Sequence, residues 1–235
     1  MRDRYLRPCH RSHINLLGQV EPVETGWCWE RLRNDDVSAT KADLRAAILS
    51  ARRALATQVH DGEARALAGH ATTLAATDQT VCAYVPVGSE PGSLELIDSL
   101  YRHGVRVLLP VARVDAAGIP LPLRWGEYVP GALTTARFGL REPGEPWSSP
   151  ETVAQAAIIL VPALAVDRAG ARLGRGAGFY DRSLPLASSS ALLVAVVRDD
   201  EIVDRLPVES HDVAMTHALT PRLGLVALGR ADGRE

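Results

Sequence analysis

Residues 156–181 read AAIILVPALAVDRAGARLGRGAGFYD, and this stretch holds both the longest apolar run of the chain and its most distinctive loop. Ala157–Val161 is apolar throughout, which predicts a strand covered on both faces of a sheet. The turn Asp167–Gly170 separates this run from the glycine-rich loop, and Phe179–Leu184 is predicted to form a short helix after the loop. A buried strand, a loop and a helix in this order are typical of α/β proteins.

The loop itself, residues 172–181, combines residue types that bind phosphate and cations. Its three glycines alternate with other residues, so the backbone can turn sharply and point its N–H groups at an anion. Arg172 and Arg175 supply planar cationic groups that match phosphate oxygens, and Asp181 is a carboxylate of the kind that holds Mg²⁺. We interpret the loop as a candidate nucleotide site.

Three other interpretations of the loop are a tight connection, a P-loop and a dinucleotide-binding loop, and the sequence opposes the P-loop most clearly. A glycine-rich stretch can be only a tight connection, and that alternative stays open for the glycines alone. A P-loop requires Lys-Ser/Thr after its last glycine, whereas Phe179-Tyr180 stands here. A dinucleotide fingerprint has its third glycine one residue later than Gly178, but Asp199 lies about where a ribose-binding acid would be, so this weaker alternative also stays open.

The rest of the chain alternates between helix and strand patterns. Thr40 can cap a helix with Asp43, and an apolar stripe at helical spacing then runs from Leu44 to Val59. Further helices are predicted at 62–76 and 93–103, and further strands at 80–85, 105–109, 121–125, 191–197 and 213–219, the last more exposed than the others. This alternation predicts a single α/β domain over residues 38–235, with a largely parallel sheet and a long loop or lid at 126–152.

Composition excludes several classes of protein. The chain has 235 residues, is 46% hydrophobic and carries a net charge of −2, so no basic field predicts nucleic-acid binding. No apolar run approaches the length of a membrane span, and three scattered cysteines do not form a disulfide framework. We expect a cytoplasmic protein without nucleic-acid or membrane partners. Lys41 is the one lysine among 26 basic residues, which indicates either a position that needs a compact ammonium or chance survival of a lysine on a solvated helix face.

Residues 1–37 differ from the rest of the chain. They contain prolines, glycines and mixed charges without a sustained period, so we predict an irregular or disordered extension. Cys9, His10, His13 and Cys28 match no standard zinc spacing, so a metal site is not predicted there.

Five segments, in chain order, resemble the 5-formyltetrahydrofolate cyclo-ligase family, whose members are also called methenyltetrahydrofolate synthetases. The similarity covers about residues 39–222. The segments are KADLR at 41–45, FGLREP at 138–143, VPALAVD at 161–167, RLGRGAGFYD at 172–181 and ESHD at 209–212. The resemblance implies a three-layer α/β/α fold related to ribose-5-phosphate isomerase and CoA transferase domains. It also implies conversion of 5-formyltetrahydrofolate to 5,10-methenyltetrahydrofolate, with ATP as co-substrate, Mg²⁺ as cofactor, and ADP and phosphate as products.

The resemblance assigns roles to matching positions. It implies that Lys41, Arg45 and Arg175 are catalytic and that Asp181 and Asp212 bind Mg²⁺. The residues implied in ATP binding are Lys41, Arg45, Arg172, Leu173, Gly174, Arg175, Gly176, Ala177, Gly178, Phe179 and Tyr180. Those implied in binding the folate are Val85, Glu90, Gly174, Arg175, Gly176, Ala177, Gly178 and Phe179. The substrates are small molecules, and we expect a monomer.

Three positions depart from the family pattern, namely Ala177 (often Gly or Lys), Phe179 (often Tyr) and Thr216 (often Asp). They bear on substrate contacts rather than on the class of reaction.

Other roles remain open for individual residues. Asp181 could be a surface carboxylate, Asp212 a partner of His211 or the end of a turn, Glu90 a solvated loop acid and Tyr180 a core residue. Two other functions also stay open for the whole chain: a non-catalytic folate- or nucleotide-binding regulator, and a sugar-phosphate isomerase or transferase of the same broad fold.

Overall fold

The computed structural model of the chain describes residues 11–14, 20–23, 40–136, 139–209 and 212–229. The chain divides into two compact units, Met1–Thr40 and Lys41–Glu235. In the first unit, strands β1 (Arg11–Ile14) and β2 (Val20–Val23) pair antiparallel. Cys9, His10 and Cys28 lie outside the described residues, and the prediction of an irregular extension stays a prediction.

The second unit contains four α-helices and twelve strands among the described residues. The helices are α1 (Lys41–Arg53), α2 (Thr57–Leu74), α3 (Leu94–Arg102) and α4 (Phe179–Ser183). The strands are β3 (Thr80–Cys82), β4 (Arg106–Val111), β5 (Arg124–Glu127), β6 (Thr134–Thr135), β7 (Arg141–Glu142), β8 (Ile158–Pro162), β9 (Ala165–Asp167), β10 (Arg172–Leu173), β11 (Leu192–Val196), β12 (Ile202–Val203), β13 (His217–Thr220) and β14 (Gly224–Ala227).

Seven of these strands form the central sheet, in the order β14-β13-β11-β8-β3-β4-β5. The five inner strands run parallel to one another, with Val194 of β11 opposite Leu160 of β8 and Val81 of β3 opposite Ile158. The two outer strands are antiparallel to their neighbours. The sequence-based prediction of an α/β fold with a mostly parallel sheet is therefore confirmed.

Alternate residues of each strand enter two separate cores, because successive side chains of a strand point to opposite faces. Along β8, Ile158 and Leu160 pack with Leu67 of α2 and Leu100 of α3. Ile159 and Val161 face the other way and pack with residues of two 3-10 helices, Pro150–Gln155 and Leu184–Leu186. Helical segments thus cover both faces of the sheet, which gives the three-layer arrangement.

Several element boundaries differ from the predicted ones. The stripe from Leu44 to Val59 does not belong to one helix, because α1 ends at Arg53 and α2 begins at Thr57. The C-terminal strand was predicted to be relatively exposed, but Ala218 and Leu219 of β13 are fully buried, since β14 pairs along its outer side. The loop predicted at 126–152 contains the short antiparallel pair β6–β7. None of the helices in the described part of the chain is long and apolar enough to cross a membrane.

A buried ion pair holds α1 to the end of the sheet. Arg52 Nε and Nη2 donate to the two carboxylate oxygens of Glu201 at 2.6 and 2.7 Å, and Nη2 also donates to the carbonyl oxygen of Ala163 at 2.7 Å. Ala163 directly follows β8, and Glu201 ends a 3-10 helix, Asp199–Glu201, that follows β11. The Arg52 and Glu201 side chains are 1% and 4% exposed. Each charge is therefore stable in the interior only because the other compensates it.

We expect Glu201→Ala to lower the free energy of unfolding by about 3–5 kcal/mol, because it leaves the Arg52 guanidinium buried without its counter-charge. Urea denaturation of the purified variant measures this change. Asp204→Ala is the matched control, since it removes the carboxylate of the exposed Arg168–Asp204 pair, and it should cost less than about 1 kcal/mol. Equal effects of the two substitutions would contradict a structural role for the buried pair.

Candidate active site

A cavity of about 380 Å³ opens at the carboxyl ends of β3, β4 and β8. Loops that leave this edge of a parallel sheet commonly build ligand sites, because several chain segments converge there. The lining residues are Arg52, Tyr84, Val85, Glu90, Pro110, Ala112, Leu123, Leu140, Arg141, Pro162, Ala163, Leu164, Arg172 and residues 174–181. The structure therefore brings most of the predicted site residues to one cavity.

The glycine-rich loop forms one wall of this cavity. It leaves β10, which pairs with β9, and enters α4 at Phe179. Gly176 and Gly178 have φ angles of +96° and +80°, a region that residues with a Cβ rarely adopt. Alternating glycines thus allow the chain to turn from a strand into a helix around the cavity. Leu173 does not line the cavity: its side chain is 1% exposed and belongs to β10 below the loop.

Helix α1 approaches the loop through Arg45. The Arg45 Nε donates a hydrogen bond to the carbonyl oxygen of Gly174 at 2.9 Å. A Cβ atom placed on Gly176 would lie 3.4 Å from Arg45 Cζ, so the guanidinium also lies against the backbone of Gly176. The structure therefore brings together two segments of the candidate site that are 129 residues apart in sequence.

Lys41 lies one helical turn before Arg45 and interacts with carboxylates. Its Nζ is 2.9 Å from Asp212 Oδ2 and 3.0 Å from Glu209 Oε1. Burial alone lowers the pKa of Lys41, but the hydrogen bonds and charges of Asp212 and Glu209 outweigh that effect and raise the pKa above its ordinary value. Lys41 and Asp212 are thus brought together, although neither belongs to the cavity lining.

Asp181, the other predicted metal ligand, pairs with Arg172. The Arg172 Nη2 donates to Asp181 Oδ1 at 2.5 Å, and the guanidinium carbon lies 5.8 Å from the centre of the Tyr180 ring. Asp181 lines the cavity and its side chain is 30% exposed, so the carboxylate remains accessible from the cavity.

The carboxylates fit Mg²⁺ only in a limited way. Within residues 40–136, 139–209 and 212–229, no three His, Cys, Asp or Glu side chains cluster closely enough to hold a metal. Mg²⁺ commonly binds one or two carboxylates together with substrate phosphates and water, so such a cluster is not required. Asp181 fits this arrangement, whereas Asp212 would have to share its carboxylate with Lys41.

Glu90 is the buried acid of the cavity, with 8% of the residue exposed. Its Oε2 accepts a hydrogen bond from the Val87 N–H at 2.9 Å, and its Oε1 lies 3.5 Å from Arg175 Nη1. Burial raises the pKa of Glu90, and this effect exceeds the lowering that the Val87 N–H, Arg175 and Arg52 produce. Because Glu90 is buried, it is not a solvated loop acid. Its carboxylate is shielded from water and lines the cavity, where a ligand can bind it.

Sequence reasoning missed three polar residues of the cavity: Arg52, Tyr84 and Arg141. The spacing of α1 could have revealed Arg52, since it lies seven residues after Arg45 and hence on the same face of the helix. Arg141 stands within the FGLREP segment, and the family resemblance assigns no role to it. Tyr84 had no local signal, and its Oη donates to the carbonyl oxygen of Pro91 at 2.9 Å.

The three residues that depart from the family pattern lie in different parts of the structure. Ala177 is exposed in the loop, and Phe179 packs partly buried against the core that contains Leu184. Thr216 joins β11 to β13, because its Oγ1 accepts from the Leu193 N–H at 2.9 Å and donates to the Leu193 carbonyl at 3.1 Å. The hydroxyl of Thr216 therefore has a structural role in the central sheet.

Comparison with known proteins gives a consistent result. The model of the family described as "5-formyltetrahydrofolate cyclo-ligase family" matches residues 37–221. A curated protein of Mycolicibacterium smegmatis named 5-formyltetrahydrofolate cyclo-ligase is 62% identical over 189 residues, which are 80% of this chain and 97% of that protein. A protein of the same name from Escherichia coli K12 is 32% identical over 143 residues, 60% of this chain and 78% of that protein.

Solved structures agree in fold. The NMR structure of Aquifex aeolicus 5,10-methenyltetrahydrofolate synthetase has a TM-score of 0.63 and 26% identity, and the match covers 83% of this chain and 95% of that one. A 5,10-methenyltetrahydrofolate synthetase from Mycoplasma pneumoniae has a TM-score of 0.58 at 19% identity, covering 75% and 96% of the two chains, and shows the shared fold alone.

We expect Arg175→Met to raise the pKa of Glu90 further, because the substitution removes a cation that stabilises the carboxylate. An NMR titration that follows the Glu90 side-chain carboxyl carbon measures this change. Arg141→Met is the control, since Arg141 also lines the cavity but does not contribute to the pKa of Glu90. An unchanged or lower pKa of Glu90 in Arg175→Met would show that Arg175 does not act on this carboxylate.

Proposed function

The chain belongs to the 5-formyltetrahydrofolate cyclo-ligase family, and we propose that it converts 5-formyltetrahydrofolate to 5,10-methenyltetrahydrofolate with consumption of ATP and release of ADP and phosphate. One observation carries the proposal beyond family membership. The cavity joins a shielded carboxylate, Glu90, to a glycine-rich loop flanked by cations, so one enclosed space offers groups for a pterin and for phosphates. We expect a cytoplasmic monomer that acts on small molecules alone.

The proposed reaction explains why such a site is needed. A formamide oxygen is a poor nucleophile and a worse leaving group. Transfer of the γ-phosphoryl group of ATP to the formyl oxygen gives an iminium phosphate at N5 and ADP. The N10 amine then attacks the formyl carbon and its proton passes to the leaving phosphate, while the C–O bond breaks and the oxygen leaves as part of that phosphate. The protein has to align the two reactants and neutralise the spreading negative charge.

Three cationic side chains are proposed to bind the transferred phosphoryl group and its neighbours: Lys41, Arg45 and Arg175. Arg45 already lies on the loop backbone at Gly174, and Arg175 belongs to the loop. Lys41 lies on the same helix face as Arg45 and is bound to Asp212 and Glu209, so phosphate oxygens would replace these carboxylates as its partners. The loop N–H groups between Arg172 and Tyr180 would hold the remaining oxygens of the nucleotide.

The folate is proposed to lie between Val85, Glu90 and the loop segment 174–179. A carboxylate can accept two parallel N–H bonds, and the pterin ring presents such a pair at N3 and the 2-amino group. The burial of Glu90 supports this role, because a hydrogen bond to a shielded carboxylate competes with little water. No covalent enzyme nucleophile is required for the reaction.

Asp181 and Asp212 are proposed to hold Mg²⁺ together with the phosphates of the nucleotide. When bound, Mg²⁺ supplies positive charge that stabilises the transferring phosphoryl group. Asp181 is the better supported of the two, because it lines the cavity and is partly exposed. Asp212 is bound to Lys41, so it would have to release Lys41 in order to bind the metal.

We expect purified protein, supplied with 5-formyltetrahydrofolate, ATP and Mg²⁺, to form a product with the near-ultraviolet absorbance of the methenyl compound. ADP should appear in a 1:1 ratio to that product. Omission of ATP is the control. Folate and ATP binding without turnover would favour a regulator, and absence of folate binding with turnover of a sugar phosphate would favour an isomerase or transferase of the same broad fold.

We expect Asp181→Asn to raise the Mg²⁺ concentration that gives half-maximal rate by about tenfold or more, since an amide is a weaker ligand for Mg²⁺ than a carboxylate. A titration of the initial rate with Mg²⁺ at saturating ATP measures this shift. Asp204→Asn is the control for loss of an Asp–Arg pair, because Asp204 pairs with Arg168 on the exposed surface. An unchanged Mg²⁺ titration would remove Asp181 from the proposed ligands.

A further inference from the structure

Unsatisfied hydrogen-bonding atoms are concentrated in the wall of the cavity. Among the residues that the structure describes, four buried side-chain nitrogen or oxygen atoms have no hydrogen-bond partner: Arg52 Nη1, Trp125 Nε1, Tyr180 Oη and Arg198 Nε. Two of these four, Arg52 Nη1 and Tyr180 Oη, belong to residues that line the cavity. A buried donor without a partner costs free energy, so each of these two groups would gain stability from an acceptor that reaches it.

Both atoms are donors at neutral pH. A guanidinium carries hydrogen on every nitrogen and does not lose its charge in proteins. A tyrosine hydroxyl has an ordinary pKa of about 10, so the Tyr180 hydroxyl keeps its proton and can donate. The other nitrogens of Arg52 are already bound to Glu201 and Ala163, which fixes the direction of the guanidinium plane.

Glu90 lines the same cavity as Arg52 and Tyr180. The cavity wall thus presents an acceptor, the Glu90 carboxylate, in the neighbourhood of two unpaired donors. The complementary ligand edge has N–H donors next to a carbonyl oxygen. In a pterin with an oxygen at C4, the 2-amino group, N3–H and the C4 carbonyl form such an edge.

We propose that Tyr180 Oη and Arg52 Nη1 donate hydrogen bonds to the C4 carbonyl oxygen of the bound pterin, beside the N–H groups that Glu90 accepts. The inference rests on the proposed function, because it requires a folate in the cavity. It makes Tyr180 a specificity-determining residue for the pterin, in addition to its place in the nucleotide loop. A pterin with an amino group at C4 would place its own N–H donors against the donors of Tyr180 and Arg52, so its binding is disfavoured.

Two ligands that differ at this atom provide the test: folic acid and its 4-amino analogue. Calorimetric titration of the full chain should show that folic acid binds at least about tenfold more tightly, because the analogue leaves both buried donors unpaired. Tyr180→Phe should weaken folic acid binding by about fivefold to twentyfold and lower the ratio of the two affinities by a similar factor, because only Arg52 Nη1 then remains to bind the C4 oxygen. The thermal midpoint of Tyr180→Phe should not fall, since the hydroxyl has no partner to lose in the free protein.

Tyr84→Phe is the matched control. Tyr84 also lines the cavity, but its hydroxyl already donates to the Pro91 carbonyl, so its removal should leave the ratio of affinities unchanged. Variants of Arg52 are unsuitable as the main test, because its other nitrogens hold Glu201 and the variant protein could fail to fold. Tyr180→Phe avoids this difficulty.

The outcomes separate this inference from the proposed function. If the wild-type protein forms the methenyl product but binds both ligands equally, or if Tyr180→Phe keeps the wild-type ratio, the proposed function stands and this inference is overturned. If the wild-type protein neither turns over 5-formyltetrahydrofolate nor binds folic acid, both are overturned. A lower ratio of folic acid affinity to analogue affinity in Tyr180→Phe, with the wild-type ratio in Tyr84→Phe, supports the inference.

Discussion

The buried pair of Arg52 and Glu201 is the constraint on which the site depends. None of the residues of helix α1 belongs to either of the two main cores, although Ile48 is buried. The guanidinium of Arg52 instead holds the helix to the loop after β8 and to the 3-10 helix after β11. Because a guanidinium without its partner is costly in a dry interior, this pair defines one placement of α1. The helix then carries Arg45 to the backbone of Gly174.

The cavity follows from the parallel sheet and from the charges around it. Three inner strands end beside it, and Tyr84 after β3, Pro110 of β4 and Pro162 of β8 line it. Three of the arginines in its lining are close to carboxylates: Arg52 to Glu201, Arg172 to Asp181 and Arg175 to Glu90. These pairs keep the loop and its cations in place before an anionic ligand arrives, so less ordering is needed on binding.

The sequence predicts those features that depend on local pattern. The start of α1, the apolar strand β8 and the helix after the glycines follow from capping, period and composition, and the structure confirms them. The break between α1 and α2 has no proline or glycine to mark it, and the alanines there favour a helix. Arg52 and Glu201 are 149 positions apart, and the burial of β13 depends on β14, so neither could be predicted from local pattern. The family resemblance supplied the site residues, and the tertiary contacts added Arg52, Tyr84 and Arg141.

The solitary lysine has a practical consequence for chemical labelling. Reagents that acylate primary amines attack the neutral amine, and this chain offers them one lysine side chain besides its N-terminus. That amine, Lys41, is held protonated by two carboxylates, so it reacts slowly while those contacts persist. A ligand that separates Lys41 from Asp212 changes the environment of the same nitrogen. Mass spectrometry of lysine acylation therefore reports directly on this contact, without interference from other lysine side chains.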